Sequence, residues 1–204
     1  MEYDLKEHWE NVWTKKSNEV SWYQENPKTS IDLILSTNPS KDARIIDVGG
    51  GDSNVVDKLL DLGFKNITVL DISAKALERA KERLGERAEM VKWIECDIRE
   101  FDTNDRYDIW HDRALLHFLT SEEDLKNYVE LTRNYVKEGG YLILSTFSTN
   151  GPMMCSGLDT KQFSEEFMKK LFTNGFEHVK SFEEKHTTPF GTSQIFIWTV
   201  FRKK

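Results

Sequence analysis

The chain has 204 residues, 31% of them charged and 38% hydrophobic, which suits one water-soluble globular domain with a proper core. Thirty-five Asp and Glu against 28 Lys and Arg leave a net charge of −7, which argues against a nucleic-acid partner because phosphate neutralisation needs clustered cations. The longest apolar runs, such as 195–201, are strand-sized and fall short of the roughly 18 residues a membrane-spanning helix needs, so no membrane partner is expected.

The acidic start, Met1-Glu2-Tyr3-Asp4, has no basic or apolar stretch of the kind a signal peptide carries. Leu5, Trp9 and Val12 or Trp13 fall at helical spacing. A helix opened by Pro27 follows, carrying Ile31, Ile34 and Leu35. Residues 1–42 therefore read as a helical arm ahead of a domain at 43–204. From 43 to 147 strand and helix patterns alternate, the signature of a parallel sheet covered by helices. Residues 43–48, 67–72, 91–96, 107–112 and 141–147 are the expected strands. The helix at 54–62 puts Val55, Val56, Leu59 and Leu60 on one face and stops at Gly63. Ser73 caps the helix at 74–84, and Gly85 ends it. Ser121 opens a helix with Leu125, Tyr128, Val129, Thr132 and Val136 on its buried side, and Gly139-Gly140 turns into the fifth strand. Residues 148–162 show no periodicity and read as a long loop of the functional kind. Ser164 caps a helix to about Asn174, and strands at 177–185 and 193–201 form an antiparallel hairpin. Cys96 and Cys155 make neither a disulfide framework nor a metal spacing, so a reducing, cytoplasmic setting without a bound metal is expected.

The strongest chemical signal is Asp47-Val48-Gly49-Gly50-Gly51-Asp52-Ser53-Asn54, between the first strand and the first helix. Glycines there let the backbone turn sharply and approach a ligand. Asp71 ends the second strand, where a carboxylate hydrogen-bonds ribose hydroxyls. Together they mark a nucleoside site at the strand C-termini. A dinucleotide fingerprint wants a third small residue where Asn54 stands, and a phosphate-binding loop has no use for Asp47 and Asp52. A nucleoside without phosphate but with positive charge suits this loop better, and S-adenosylmethionine (SAM) is one.

Asp47-x-Gly49-x-Gly51, Asp71, Asp97-Ile98 after the third strand, Gly139-Gly140 and the final hairpin, taken in order, resemble the class I SAM-dependent methyltransferases. The resemblance covers residues 43–204 and departs from the family at Ser53, where a third glycine is often found. It implies a Rossmann-like, doubly wound α/β fold: a seven-stranded sheet, mostly parallel, with a C-terminal antiparallel hairpin and helices on both faces. It also implies a cofactor site with Asp71 at the ribose, Asp97 and Ile98 at the adenine and Asp47 near the methionyl end, with Gly49, Gly51 and Ile72 also binding the cofactor, the product being S-adenosylhomocysteine. Trp9, Trp13 and the Ser21-Trp22-Tyr23 run resemble the arm of elongation-factor lysine methyltransferases and of thiopurine and thiol methyltransferases. By that resemblance the three tryptophans cap SAM and Arg113 lies beside it.

His111, Asp112 and His117 are the residues positioned to orient an acceptor or take its proton, and Asp112 with Arg113 reads equally as a structural ion pair. Cys155, in the irregular loop, is compatible with a soft acceptor. Methyl transfer from a sulfonium needs alignment more than acid–base help, so no catalytic motif names the acceptor. The compact size favours a small molecule. A protein-lysine acceptor is the alternative, weakened by the His111–His117 run, and a non-catalytic SAM-binding module or an NAD-dependent enzyme remain as other classes.

Overall fold

The computed structural model describes residues 4–204; residues 1–3, where the expected arm and its acidic start begin, lie outside the described residues. The arm contributes α1 (Leu5–Val12), capped by the Asp4 carboxylate on the Glu7 amide, and α2 (Lys28–Ser36). Then strands and helices alternate: β1 (Arg44–Val48), α3 (Val55–Asp61), β2 (Asn66–Asp71), α4 (Ala74–Leu84), β3 (Val91–Glu95), β4 (Tyr107–Arg113), α5 (Glu122–Tyr135) and β5 (Val136–Phe147). Ser73 and Ser121 cap α4 and α5 through their hydroxyls, as their positions before acid-bearing or apolar first turns predict. The chain closes with β6 (Met154–Cys155), β7 (Leu158–Asp159), α6 (Glu165–Phe172), β8 (Phe176–Thr187) and β9 (Ser193–Lys203).

The sheet runs β3-β2-β1-β4-β5-β9-β8, parallel from β3 to β5 and antiparallel where β9 meets β5 and β8. Strand order reverses between β1 and β4, which opens a crevice at their C-terminal ends. Buried branched residues line both faces of the sheet. Leu33, Ile34, Val56, Leu59 and Leu77 bring α2, α3 and α4 onto one face. Leu125, Tyr128, Met168 and Phe172 bring α5 and α6 onto the other. This is the α/β, Rossmann-like doubly wound, seven-stranded architecture that the sequence implied. No helix among the described residues is long and apolar enough to cross a membrane.

Three local expectations change. Helix α2 turns Ser30, Leu33 and Ile34 inward, leaving Leu35 exposed, because its buried face must meet α3 and β4 together. Val136 is buried as the first residue of β5, with Gly139 and Gly140 inside that strand and a register shift opposite them between Tyr107 and Ile109. The 148–162 segment contains a hairpin, β6–β7, whose two-residue turn places Ser156 and Gly157 at φ +51° and +80°. Both angles are positive, as the twist of a tight hairpin requires, and Ser156 hid the signal by occupying a position usually held by Asn or Gly.

Gly140 is the glycine whose lack of a side chain matters most. A Cβ there would stand 2.8 Å from the Lys137 carbonyl oxygen and 2.9 Å from that of Asp108. Gly140→Ala is expected to cost about 3 kcal/mol or more, because both obstacles are backbone. Thermal denaturation should show Tm lowered by about 6–12 °C. Gly63→Ala, at φ +81° with nothing within 4 Å, should cost only about 1 kcal/mol.

Candidate functional site

The turn after β1 is built from glycines that earn their place sterically. Gly49 and Gly51 sit at φ +68° and +49°. A Cβ on Gly50 would stand 2.8 Å from both Asp47 Oδ2 and Val69 Cγ1. The Gly49 and Gly50 amides both donate to the Leu70 carbonyl, at 2.8 and 3.1 Å, locking the turn against β2. Beyond it lies a cleft whose empty volume, open solvent included, is about 930 Å³. A smaller, more polar recess of about 540 Å³ adjoins it; Trp13, Trp22, Gly49 and Arg113 line both.

The arm roofs this cleft because charged groups of α4 hold it down. Glu10 Oε1 accepts from the Ala74 amide at 2.7 Å, a carboxylate from the arm at the N-terminus of α4, where the helix dipole favours it. Arg79 donates to the Trp13 carbonyl at 3.1 Å and to Ser17 Oγ at 2.8 Å, and its guanidinium lies over the Trp13 ring. Asp52 takes Arg83, Arg79 and Ser17 together. The far end of the arm is tied to the hairpin: Thr29 donates to Glu184 at 2.5 Å, and His186 donates to the Ser21 carbonyl at 2.7 Å. So held, Trp9, Trp13 and Trp22 meet edge to face, with centroids 5.9 Å apart in both the Trp9–Trp22 and the Trp13–Trp22 pair.

Three polar side chains on the cleft wall are buried with capacity to spare. Asp71 accepts from the Ser73 amide at 2.9 Å and has no cation beside it among the described residues. Burial, with Asp47 adding repulsion, pushes its carboxyl up to about 7 against the pull of the Ser73 and Gly51 amides. Arg113 donates through Nη1 to the Trp22 carbonyl at 3.0 Å, while its Nε and Nη2 have no partner among the described residues. Burial lowers it to about 10, with Glu184 and Asp47 opposing, so it stays a cation at neutral pH. His117 stacks on Phe147 with centroids 4.0 Å apart and planes 5° apart, and both its ring nitrogens lack partners. Burial, then the nearby Arg113 charge, lowers it to about 3, so its imidazole is neutral.

Trp9, Trp13, Trp22, Gly49, Asp71, Ile72, Asp97, Ile98, Arg113 and His117 all line the main cleft. Gly51 is outside the lining: a Cβ there would stand 3.0 Å from Trp13 and 3.2 Å from Asp71, so it lies between roof and floor. Asp47 lines the polar recess, 2.7 Å from His111 Nδ1. His111 Nε2 in turn meets Ser30 Oγ at 3.0 Å, so the ring is engaged on both sides and braces α2 against β1. That arrangement places His111 in the polar recess and outside the lining of the main cleft. Asp112 is fully buried and accepts from Tyr128 Oη at 2.5 Å and the Leu115 amide at 3.0 Å. It forms no ion pair with Arg113, because neighbours on a strand face opposite sides of the sheet. Asp97 caps the turn at Ile98–Glu100 and pairs with Arg99. Burial opposes its charge, but the Arg99 bonds hold it below the usual carboxylate range. Phe118, Phe147, Gln194 and Phe196 also line the cleft. Gln194 and Phe196 were visible only as same-face positions of a strand, with no motif to single them out.

Comparison with known proteins agrees with this geometry. A methyltransferase-domain family matches residues 45–140. The chain is 24% identical over 168 residues to an N-terminal Xaa-Pro-Lys N-methyltransferase 1-A of Xenopus laevis, covering 80% of this chain and 74% of that one. It is 24% identical over 193 residues to an EEF1A lysine methyltransferase 2 of Danio rerio, covering 86% and 76%. A solved 1,6-didemethyltoxoflavin N1-methyltransferase of Burkholderia thailandensis, holding 1,6-didemethyltoxoflavin and S-adenosylhomocysteine, superposes with a TM-score of 0.69 at 18% identity over 95% of this chain and 81% of that one. A glycine turn after β1, an acidic residue ending β2, this strand order and these relatives lead to one conclusion: the chain is a SAM-dependent methyltransferase with a methyltransferase domain on a Rossmann-like fold.

Proposed function

We propose that this methyltransferase acts on a small molecule held at the His117, Phe147 and Phe196 end of the cleft. The observation that carries this reading is the distribution of charge. Of the carboxylates lining the cleft, Asp97 pairs with Arg99 and Asp124 interacts with it, while Asp71 stands at the end of β2. The His117 end offers aromatic rings, a neutral imidazole, an amide and a thiol, beneath the arm. A protonated lysine or chain terminus finds no carboxylate there to replace its water.

The side chains present fit SAM. Asp71, buried without a cation, is suited to accept from both ribose hydroxyls. Ile72 and Ile98 offer apolar surface to the adenine, with Asp97 beside them. In the polar recess Asp47 suits an ammonium, and the unpartnered Nε and Nη2 of Arg113 suit a carboxylate as a two-pronged donor. Gly49 and Gly51 leave room for the chain between them. Trp9, Trp13 and Trp22 close over the sulfonium, where ring faces attract a cation. On this reading residues 4–42 are a lid and 43–204 the catalytic domain. SAM, when bound, supplies an activated methyl group and a neutral leaving thioether. The protein aligns the two reactants and excludes water.

A protein amine is the second reading, favoured by the two relatives named for protein N-methylation. Incubation with methyl-labelled SAM and cell extract separates the two. Label should appear in small molecules and only with undesalted extract; label on a protein band, lost with Asp71→Ala, would replace the first reading by the second.

Asp71→Asn tests the ribose assignment. It should weaken SAM binding by about tenfold or more, since a charge-assisted acceptor is lost. The same substitution should stabilise the ligand-free chain. The folded carboxyl titrates near 7 and an unfolded one near 4, so the folded chain holds the extra proton between those values and loses stability as pH rises through them. At pH 7.5 denaturant unfolding should show a gain on the order of 1–3 kcal/mol that vanishes below pH 4. Unchanged SAM affinity by calorimetry would remove Asp71 from the site.

A further inference from the structure

Three polar atoms at the uncharged end of the cleft are buried without a partner among the described residues: Nδ1 and Nε2 of His117 and Oε1 of Gln194. Leaving such atoms unpaired is costly, so the pattern of donors and acceptors describes what belongs beside them. A neutral imidazole carries one N–H and one lone pair. The Gln194 oxygen only accepts, its Nε2 being spent on Ser21 Oγ at 3.2 Å. The wall around them is aromatic: Phe147 stacks on His117, Phe118 lies 4.5 Å from it between centroids, and Phe196 packs 4.9 Å from Phe147.

The titratable groups facing this end are few. Arg113 comes from β4 and Cys155 from β6; His186 comes from β8 and packs on Phe196. Burial raises the Cys155 thiol and lowers His186, with Arg113 acting in the same direction on the latter. Glu184, near Arg113, is taken up by Thr29 and by Trp198 Nε1 at 2.7 Å. Arg113 is the cation close by, with Glu184 and Asp47 acting on it, and in the reading above it serves the cofactor.

Resting on that reading, we infer that the acceptor is an uncharged primary amine on a flat apolar body, an arylamine, held by Gln194 and His117. One N–H donates to Gln194 Oε1 and the other to the lone-pair nitrogen of His117, which leaves the amine's own lone pair for the methyl carbon. A protonated amine has no lone pair for the methyl carbon, and the nearby Arg113 cation repels it. A thiolate or carboxylate would set its lone pairs against the Gln194 oxygen. In the reaction the nitrogen lone pair forms the new N–C bond while the C–S bond breaks, its electron pair going to sulfur. The positive charge passes to the nitrogen, whose extra proton is released to solvent with the product. Gln194 and His117 touch the reacting amine and set its orientation.

The test uses aniline, benzylamine and thiophenol with labelled SAM from pH 6 to 9, with SAM affinity measured in parallel on the full chain. At pH 7 aniline is neutral and benzylamine protonated, yet the two are close in size. Aniline should be methylated at least 100-fold faster than benzylamine at pH 7, the ratio shrinking about tenfold per pH unit as benzylamine deprotonates. Gln194→Leu and His117→Phe, the second keeping the stacked ring, should each lower kcat/KM for aniline about tenfold with SAM affinity unchanged. Preference for thiophenol, a benzylamine rate equal to that of aniline at pH 7, variants without effect, or no transfer to any probe by a chain that binds SAM would each overturn the inference. Loss of SAM binding by the unaltered chain would instead overturn the proposed function beneath it.

Discussion

Everything about the cleft depends on the grip of α4 on the N-terminal arm. A sheet of this order leaves its crevice open at the strand ends, and nothing in the seven strands closes it. Arg79 and Glu10 supply the closure, one by donating to the Trp13 carbonyl and the other by sitting at the helix N-terminus. The first engages the arm's backbone and so fixes its path; the second ties the Glu10 side chain to the backbone of α4. Asp52 joins the same cluster through Arg79, Arg83 and Ser17, which couples the glycine turn to the roof above it. The three tryptophans are therefore placed by electrostatics on one side and by packing on the other.

The same closure explains the unusual titration of the groups inside. Asp71 is raised because the roof and the glycine turn keep water from it, and no cation compensates. His117 is lowered because it is buried, stacked on Phe147, and has Arg113 nearby. On the proposed reading, ribose hydroxyls would pair with Asp71 and an acceptor N–H with the lone pair of His117. The polar recess beside Gly49 is calmer: Asp47 is already bonded to His111, and the His111–Ser30 contact carries that order back into α2. Buried polar networks of this kind are stable only when complete, and the one at the recess is nearly so.

Much of the fold was legible because its signals are local. Capping serines, C-terminal glycines at Gly63 and Gly85, and short buried strands each follow from backbone preferences that tertiary structure has no reason to override. The carboxylates expected at the cofactor, Asp47, Asp71 and Asp97, were legible as residues at or near strand ends. What escaped notice depends on long-range pairing. Gln194 and Phe196 face the cleft only because β9 inserts beside β5, bringing Phe196 opposite Phe147. The neutrality of His117 and the engagement of His111 and Asp112 follow from neighbours 16 or more residues away for the last two. The β6–β7 hairpin was missed because its strands are two residues long, too short for a period to show.

The most direct test is a crystal structure of the full chain with S-adenosylhomocysteine. The ribose hydroxyls should lie on Asp71, the adenine between Ile72 and Ile98, and the carboxylate on the free edge of Arg113, with the tryptophan roof closed and the His117 and Gln194 atoms still unpaired. Cofactor bound with its ribose away from Asp71, or an arm swung off α4 while the site is filled, would contradict the account.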